Sequence, residues 1–205
     1  MNKTPLQGLY GITSQDILLD NQLLFKKVEQ ALQGGMGILQ YRNKHSSPIQ
    51  SNDDLIRLKQ LCHRYQALFI INDDVNLCKQ IQADGVHLGK DDGDITNARK
   101  VLGQQPIIGK SCYDQYELAL QAQQQGASYI AYGAFFPSST KPQAPSAAFS
   151  LLDKTLKVPV CCIGGITTSN AQPLINHGAQ MLAVITDLFN VNNTKTQAEK
   201  FSQMF

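Results

Sequence analysis

Short apolar runs recur along the chain at a near-regular interval. They are GLYGITS (8–14), GILQYR (37–42), LFIIND (68–73), GVHLG (85–89), PIIGKS (106–111), SYIAYGAFF (128–136), VPVCCIGG (158–165) and QMLAVIT (180–186). Each is rich in branched or aromatic residues and short enough for a strand. The segments between them have a helical period. In DDLIRLKQLCHRY, Leu55, Leu58, Cys62 and Tyr65 share one face with Leu61 beside it. In DQYELALQAQQQ, Asp114 reads as an N-cap with an acid, Glu117, three residues on. Helices are expected to stop at glycine just ahead of a strand, in QGGMGILQ, QADGVHLG, QQGASYIAYG and NHGAQMLAV. Glycine there can take the left-handed conformation that ends a helix.

Eight strands alternating with helices predict an α/β protein with a parallel sheet. The runs are apolar throughout rather than alternating, as expected of strands buried on both faces. Eight repeats make a (β/α)8 TIM barrel the leading architecture, and 205 residues sit at the lower size limit for it. A doubly wound open sheet is the competitor, but no G-x-G-x-x-G follows the first run. Residues 1–205 read as one domain whose last segment, 191–205, supplies a closing helix.

Composition narrows the chemistry. A 42% hydrophobic chain can bury a real core, and a net charge of +2 with no basic run points away from nucleic-acid and membrane surfaces. The five cysteines, Cys62, Cys78, Cys112, Cys161 and Cys162, contain no C-x-x-C, so neither a disulfide framework nor a zinc site is indicated. With no signal-like N-terminus and no run of transmembrane length, the expectation is a reduced, cytoplasmic, soluble protein.

In a barrel the chemistry belongs at the C-terminal ends of the strands. Those ends carry QYRNK, NDD, HLGKDD, GKSC, PSSTK, GGITTSN and ITD. A strand period puts Gln40, Arg42 and Lys44 on one face. Two cations and an amide there need a partner, either a neighbouring acid or an anionic ligand gripped by a planar arginine and a point-charge lysine. Asp73, Asp74, Asp91 and Asp92 follow neighbouring strands. Asp74 and Asp91 read as helix caps, while Asp73 and Asp92 read equally as caps or as a Mg²⁺ pair. The glycine turn at 164–166, followed by TTSN, reads either as opening a helix whose free N–H groups suit a phosphate or as only a tight turn. His87 reads as a core residue, Cys161 and Cys162 as small core fillers, and Cys112 as lacking the histidine that a nucleophile needs.

Taken together, QYRNK, IINDD, ADGVHLGKDD, IGKSC, YGAFFPSSTK, VPVCCIGGI and GAQMLAVIT resemble the ordered signature of the thiamine-phosphate synthase family over about residues 8–190. The resemblance implies a (β/α)8 barrel that joins a hydroxymethylpyrimidine diphosphate to a thiazole phosphate, its carboxylated form included. Pyrophosphate leaves and thiamine phosphate forms, with one Mg²⁺ per active site. It places Gln40, Arg42, Lys44, Asn72, Ser111 and Lys141 on the pyrimidine diphosphate, with Arg42, Ser111 and Lys141 as the catalytic set. Ser138, Ser139, Thr140, Gly165, Ile185 and Thr186 fall on the thiazole phosphate, and Asp73 and Asp92 on the metal. The chain departs from the usual pattern at Tyr41, Lys90, Tyr113, Ala134, Ser138 and Thr186; the last two keep a hydroxyl.

The reaction implied is dissociative, so it needs charge neutralised on a leaving diphosphate rather than a strong base or nucleophile. Three rivals remain: the related thiazole tautomerase branch, a phosphate-binding barrel without turnover, and another phosphate-handling barrel enzyme. Keeping Lys44, Asp73, Asp92 and Lys141 together argues against the tautomerase. Lys141→Ala is expected to lose most turnover while the barrel stays folded; a steady-state rate close to that of the unaltered chain would remove Lys141 from the catalytic set.

Overall fold

A computed structural model describes residues 6–44, 50–89, 93–137 and 146–205. Eight parallel strands close into a barrel in chain order: β1 (Gly8–Ile12), β2 (Ile38–Tyr41), β3 (Leu68–Asn72), β4 (Gly85–Leu88), β5 (Ile107–Tyr113), β6 (Tyr129–Tyr132), β7 (Val160–Ile163) and β8 (Met181–Val184). Each predicted run holds one strand. The ladder of β8 on β1, Gly8 opposite Met181 through Gly11 opposite Val184, closes the sheet and excludes the open doubly wound alternative.

The helices are α1 (Gln15–Leu18), α2 (Asn21–Gln33), α3 (Asn52–Arg64), α4 (Val75–Gln80), α5 (Ile95–Leu102), α6 (Tyr116–Gln124), α7 (Gln172–Asn176), α8 (Thr186–Phe189) and α9 (Thr194–Ser202). Between β6 and β7 the described residues hold only a 3-10 turn, Phe149–Leu151. The amphipathic helix predicted from Leu55, Leu58, Leu61, Cys62 and Tyr65 is α3; the first four are buried, but Tyr65 falls just past the last helical residue and is exposed. Ser51 and Asp54 form a reciprocal capping box at its start. The closing helix is α9, whose Ser202 hydroxyl donates to Gly34 O at 2.9 Å, while Lys27 of α2 reaches Val191 O.

The strands separate two cores. Leu39, Phe69, Ile71, Val86, Leu88, Ile108, Ile130, Cys162, Leu182 and Val184 face out against the helices. Tyr10, Ile12, Ile38, Ile70, Tyr129, Ala131, Cys161, Met181 and Ala183 fill the lumen. Both faces are thus apolar, which is why the sequence runs look continuous. Cys161 packs inward and Cys162 outward, each as a small apolar filler.

Two local expectations need correction. Asp114 does not cap α6: β5 continues to Tyr113, whose backbone turns left-handed at φ 55°, so the helix begins only at Tyr116, behind Gln115. Nor does Gly85 end a helix. Gly35, Gly126 and Gly178 do take positive φ, but after α4 that role falls to Gln82 at φ 53°. Gly85 lies inside β4, where a Cβ would come within 2.1 Å of Ile107 O.

A second close approach shapes the lumen. A Cβ on Gly109 would lie 2.1 Å from Tyr129 Cζ, so β5 is thinned at that point to admit the tyrosine ring. Gly109→Ala forces the ring aside and is expected to destabilise the fold by about 1–3 kcal/mol, as overpacking does. The check is a lowered urea midpoint at unchanged slope.

Candidate active site

A cavity of about 680 Å³ opens at the C-terminal mouth of the barrel. This is within the usual range for small-molecule sites. One wall comes from the ends of β2 to β5: Gln40, Arg42, Lys44, Asn72, Asp73, His87, Gly89 and Ser111. The facing wall comes from β7 and β8: Gly164, Gly165, Ile185 and Thr186.

The first wall is electrostatically built. β2 ends at Tyr41, so Arg42 and Lys44 are not strand residues as the period suggested, yet both reach the cavity with Gln40. What holds Arg42 there is Thr13, at the exit of β1. Its hydroxyl accepts the Arg42 N–H at 2.8 Å and donates to the Arg42 carbonyl at 3.1 Å. Burial lowers the guanidinium pKa and the nearby Asp73 opposes that; an arginine stays charged regardless.

Asp73 carries the opposite charge. Its Oδ2 accepts from Lys44 Nζ at 3.0 Å and from Asn72 Nδ2 at 2.5 Å, and its Oδ1 accepts from the Gly89 N–H at 3.1 Å. Burial raises its pKa, but these donors outweigh burial and hold the carboxyl below its ordinary value, hence ionised. Asp73 also sits at φ 63°, a conformation aspartate tolerates and one that clusters at functional sites. The neighbouring acid that the sequence allowed as a partner for Lys44 is Asp73. Asp74, by contrast, caps α4 through the Leu77 N–H, as its sequence position suggested.

Beneath this wall the lumen is polar along one line. Gln40 Nε2 donates to Tyr10 OH at 2.8 Å, the Tyr10 and Tyr129 hydroxyls bond at 2.8 Å, Tyr129 OH meets His87 Nδ1 at 2.9 Å, and His87 Nε2 meets Ser111 Oγ at 2.9 Å. His87 is buried at the floor of the cavity, and burial pushes its pKa down to about 4. It is therefore a neutral, buried histidine that borders the cavity and bonds Ser111. Cys112 points away into the outer core, where burial pushes its thiol up to about 12, so it is no nucleophile.

The facing wall uses backbone. Gly164 and Gly165 both have positive φ, and a Cβ on Gly165 would lie 2.3 Å from Pro137 O, the residue leaving β6. The glycine turn does not open directly into a helix. Asn170 ties the next four residues into a turn, accepting from Thr167 N and donating to Gly165 O, and α7 starts only at Gln172. The turn therefore offers its own N–H groups rather than the start of α7, while Thr186 begins the short helix α8.

A search of protein-family models matches residues 9–188 to the family described as thiamine monophosphate synthase. The chain belongs to the thiamine monophosphate synthase family. Among its relatives, the thiamine-phosphate synthase of Methylobacillus flagellatus is 48% identical over 98% of this chain and 96% of its own. That of Nitrosococcus oceani is 44% identical over 98% and 93%. The solved thiamine phosphate pyrophosphorylase of Pyrococcus furiosus superposes with a TM-score of 0.83 at 30% identity, covering 97% of this chain and 95% of that one. A 3-hexulose-6-phosphate synthase superposes at 0.74 with 12% identity, a likeness of fold alone.

For this member of the thiamine monophosphate synthase family, one cavity brings together Gln40, Arg42, Lys44, Asn72, Asp73, Ser111, Gly165, Ile185 and Thr186. Asp92, Ser138, Ser139, Thr140 and Lys141, with Asp91 and Lys90, lie outside the described residues. Tyr41, a departure from the family pattern, points out of the barrel and donates to Gln50 Oε1 at 2.9 Å, away from the cavity. The sequence reading missed Thr13, Tyr10 and Tyr129. A hydroxyl at the exit of the first run was the available signal for Thr13. The two tyrosines look like ordinary strand residues, and only closure of the barrel brings them together.

Thr13→Val keeps the shape but leaves the half-buried Arg42 N–H without this acceptor. It is expected to cost about 1–3 kcal/mol, with Thr13→Ser restoring most of it; denaturant midpoints of the three chains check this.

Proposed function

We propose that this chain condenses a hydroxymethylpyrimidine diphosphate with a thiazole phosphate to give thiamine phosphate and pyrophosphate, as a transferase of thiamine biosynthesis. The observation that carries the reading is the single cavity with two unlike walls. Arg42 and Lys44 stand with Gln40, Asn72 and Ser111 on one side, and the Gly164–Gly165 turn with Thr186 on the other. A diphosphate and its pyrimidine fit the first wall, and a monophosphate the second.

The residues do the following in this scheme. Arg42 and Lys44 neutralise charge on the diphosphate as its bond to the pyrimidine methylene carbon breaks, and Lys141, which follows β6 in sequence, joins them. Ser111 and Gln40 orient the pyrimidine. Ser138, Ser139 and Thr140, with Gly165, Ile185 and Thr186, hold the thiazole phosphate so that the ring nitrogen meets the developing cation. Holding two reactants in line can supply up to about 7–11 kcal/mol of the barrier. No general base or covalent nucleophile is required.

The first wall also suits Mg²⁺. Asp73 is a cavity-lining carboxylate kept ionised by its neighbours, and this ion takes one or two carboxylates plus substrate phosphate. Asp73 and Asp92 would hold it, and its charge would offset that of the departing diphosphate. Lys44 would then exchange Asp73 for the diphosphate when substrate arrives. All five cysteines are free and buried, which suits a reduced cytoplasmic setting. Among the described residues no helix is long and apolar enough to cross a membrane.

The purified chain, mixed with both substrates with and without Mg²⁺, is expected to release thiamine phosphate and pyrophosphate in equal amounts, and only with the metal. No product under any divalent metal would favour a binding-only barrel.

A further inference from the structure

Four hydrogen bonds, three buried and the last half-buried, run through the lumen from Gln40 on β2 to Ser111 on β5, by way of Tyr10, Tyr129 and His87. The line draws on β1, β2, β4, β5 and β6. Gly109 leaves room for the Tyr129 ring, which stacks on His87 at 5.6 Å between centroids and meets Tyr10 edge-on at 6.0 Å.

Hydrogen positions along this line are not independent. The Gln40 amide lies with Nε2 toward Tyr10, and in that orientation it only donates, so Tyr10 O accepts from Gln40. The Tyr10 hydrogen must then go to Tyr129 O, its other partner. Tyr129 in turn donates to His87 Nδ1, which must be unprotonated. A neutral imidazole so fixed carries its proton on Nε2 and gives it to Ser111 Oγ. Ser111, having accepted, is left with its own hydrogen to spend.

The alternatives fail one residue further back. If Nδ1 carried a proton, in the other tautomer or the cation, Tyr129 would have to accept from His87 and donate to Tyr10. With Gln40 Nε2 on Tyr10, the Tyr10 oxygen would then accept twice and its own hydrogen would have no acceptor among the described residues, in a fully buried position; the reverse polarity requires the Gln40 amide turned over, with Oε1 on Tyr10.

We propose that this line has a single polarity, set at Gln40, and that Tyr10, Tyr129 and His87 are positioning residues that present Ser111 to the cavity as a hydrogen-bond donor. The acceptor is a lone pair of the bound substrate, such as an unprotonated ring nitrogen of the pyrimidine. This extends the function proposed above and rests on it for the identity of that acceptor. The polarity itself needs no substrate, so it can be tested even if the activity proves different.

The test reads the histidine directly. His45→Gln, His63→Gln and His177→Gln together leave His87 as the only histidine of the four. The untagged chain, labelled with ¹⁵N-histidine, is measured by long-range ¹H–¹⁵N correlation at neutral pH. Expected is a pyrrole-type Nε2 beside a pyridine-type Nδ1. A protonated Nδ1, an imidazolium, or an averaged pair of shifts would overturn the proposal.

Tyr129→Phe then cuts the line. It is expected to average the two nitrogen shifts and to lower kcat/KM for the pyrimidine diphosphate about ten-fold, with KM for the thiazole phosphate held. A shift equal for both substrates, or none, would reduce the line to core packing. If Tyr129→Phe does not fold, the tautomer of the unaltered His87 decides alone.

Discussion

The lumen of an eight-stranded parallel barrel is filled by side chains, and a polar group placed there must be satisfied by another that also points inward. In this chain that requirement falls on Gln40, Tyr10, Tyr129, His87 and Ser111. They come from five different strands and meet only because β8 returns to β1 and closes the sheet. The size of Tyr129 forces glycine at position 109, and the hydroxyls of Tyr10 and Tyr129 bridge β1 and β6 across the interior. All five members of the line border the cavity, with Gln40 and Ser111 at its ends. Folding the barrel and orienting its binding groups are thus one event, without a separate ordering cost at the moment of binding.

Above that line the site depends on exits rather than strands. β2 stops after Tyr41, and Thr13 from the neighbouring strand exit clamps the Arg42 backbone. Asp73 is pinned in a left-handed turn by Lys44, Asn72 and Gly89. Charges at the opposite end of the barrel do something else. Arg99 donates to Pro106 O, Gly126 O and Ser128 Oγ, and Asp84 accepts from the Phe69 N–H and pairs with His63 at 2.9 Å. Those contacts tie helices and loops to the strand starts. They satisfy each other, whereas the cations of the mouth face an open cavity.

Much of this was legible in the residues. Eight apolar runs gave eight strands because strands buried on both faces leave an uninterrupted hydrophobic signature. The polar tails of those runs marked the mouth, and seven motifs in order pointed to the family. Local boundaries were less legible. Asp114 looks like a cap only if β5 ends early, and its extension to Tyr113 depends on pairing with β6. Gly85 looks like a helix stop but is there to admit Ile107 O. The helix expected after Gly164–Gly165 is a turn, because Asn170 captures the backbone groups that a helix would use. The lumen line was hidden for a deeper reason. Its members lie far apart in sequence, 119 residues in the case of Tyr10 and Tyr129, and no spacing rule links them.

On the proposed function, one mouth holds both substrates, the pyrimidine diphosphate on the β2–β5 wall and the thiazole phosphate against the β7–β8 turns. A crystal structure of this chain with thiamine phosphate and pyrophosphate bound tests it most directly. The account predicts pyrophosphate within hydrogen-bond reach of Arg42 and Lys44, the pyrimidine ring between Gln40 and Ser111, and the monophosphate at Gly165 and Thr186. Product bound with its phosphate on the Arg42 wall, or outside the barrel mouth altogether, would contradict it.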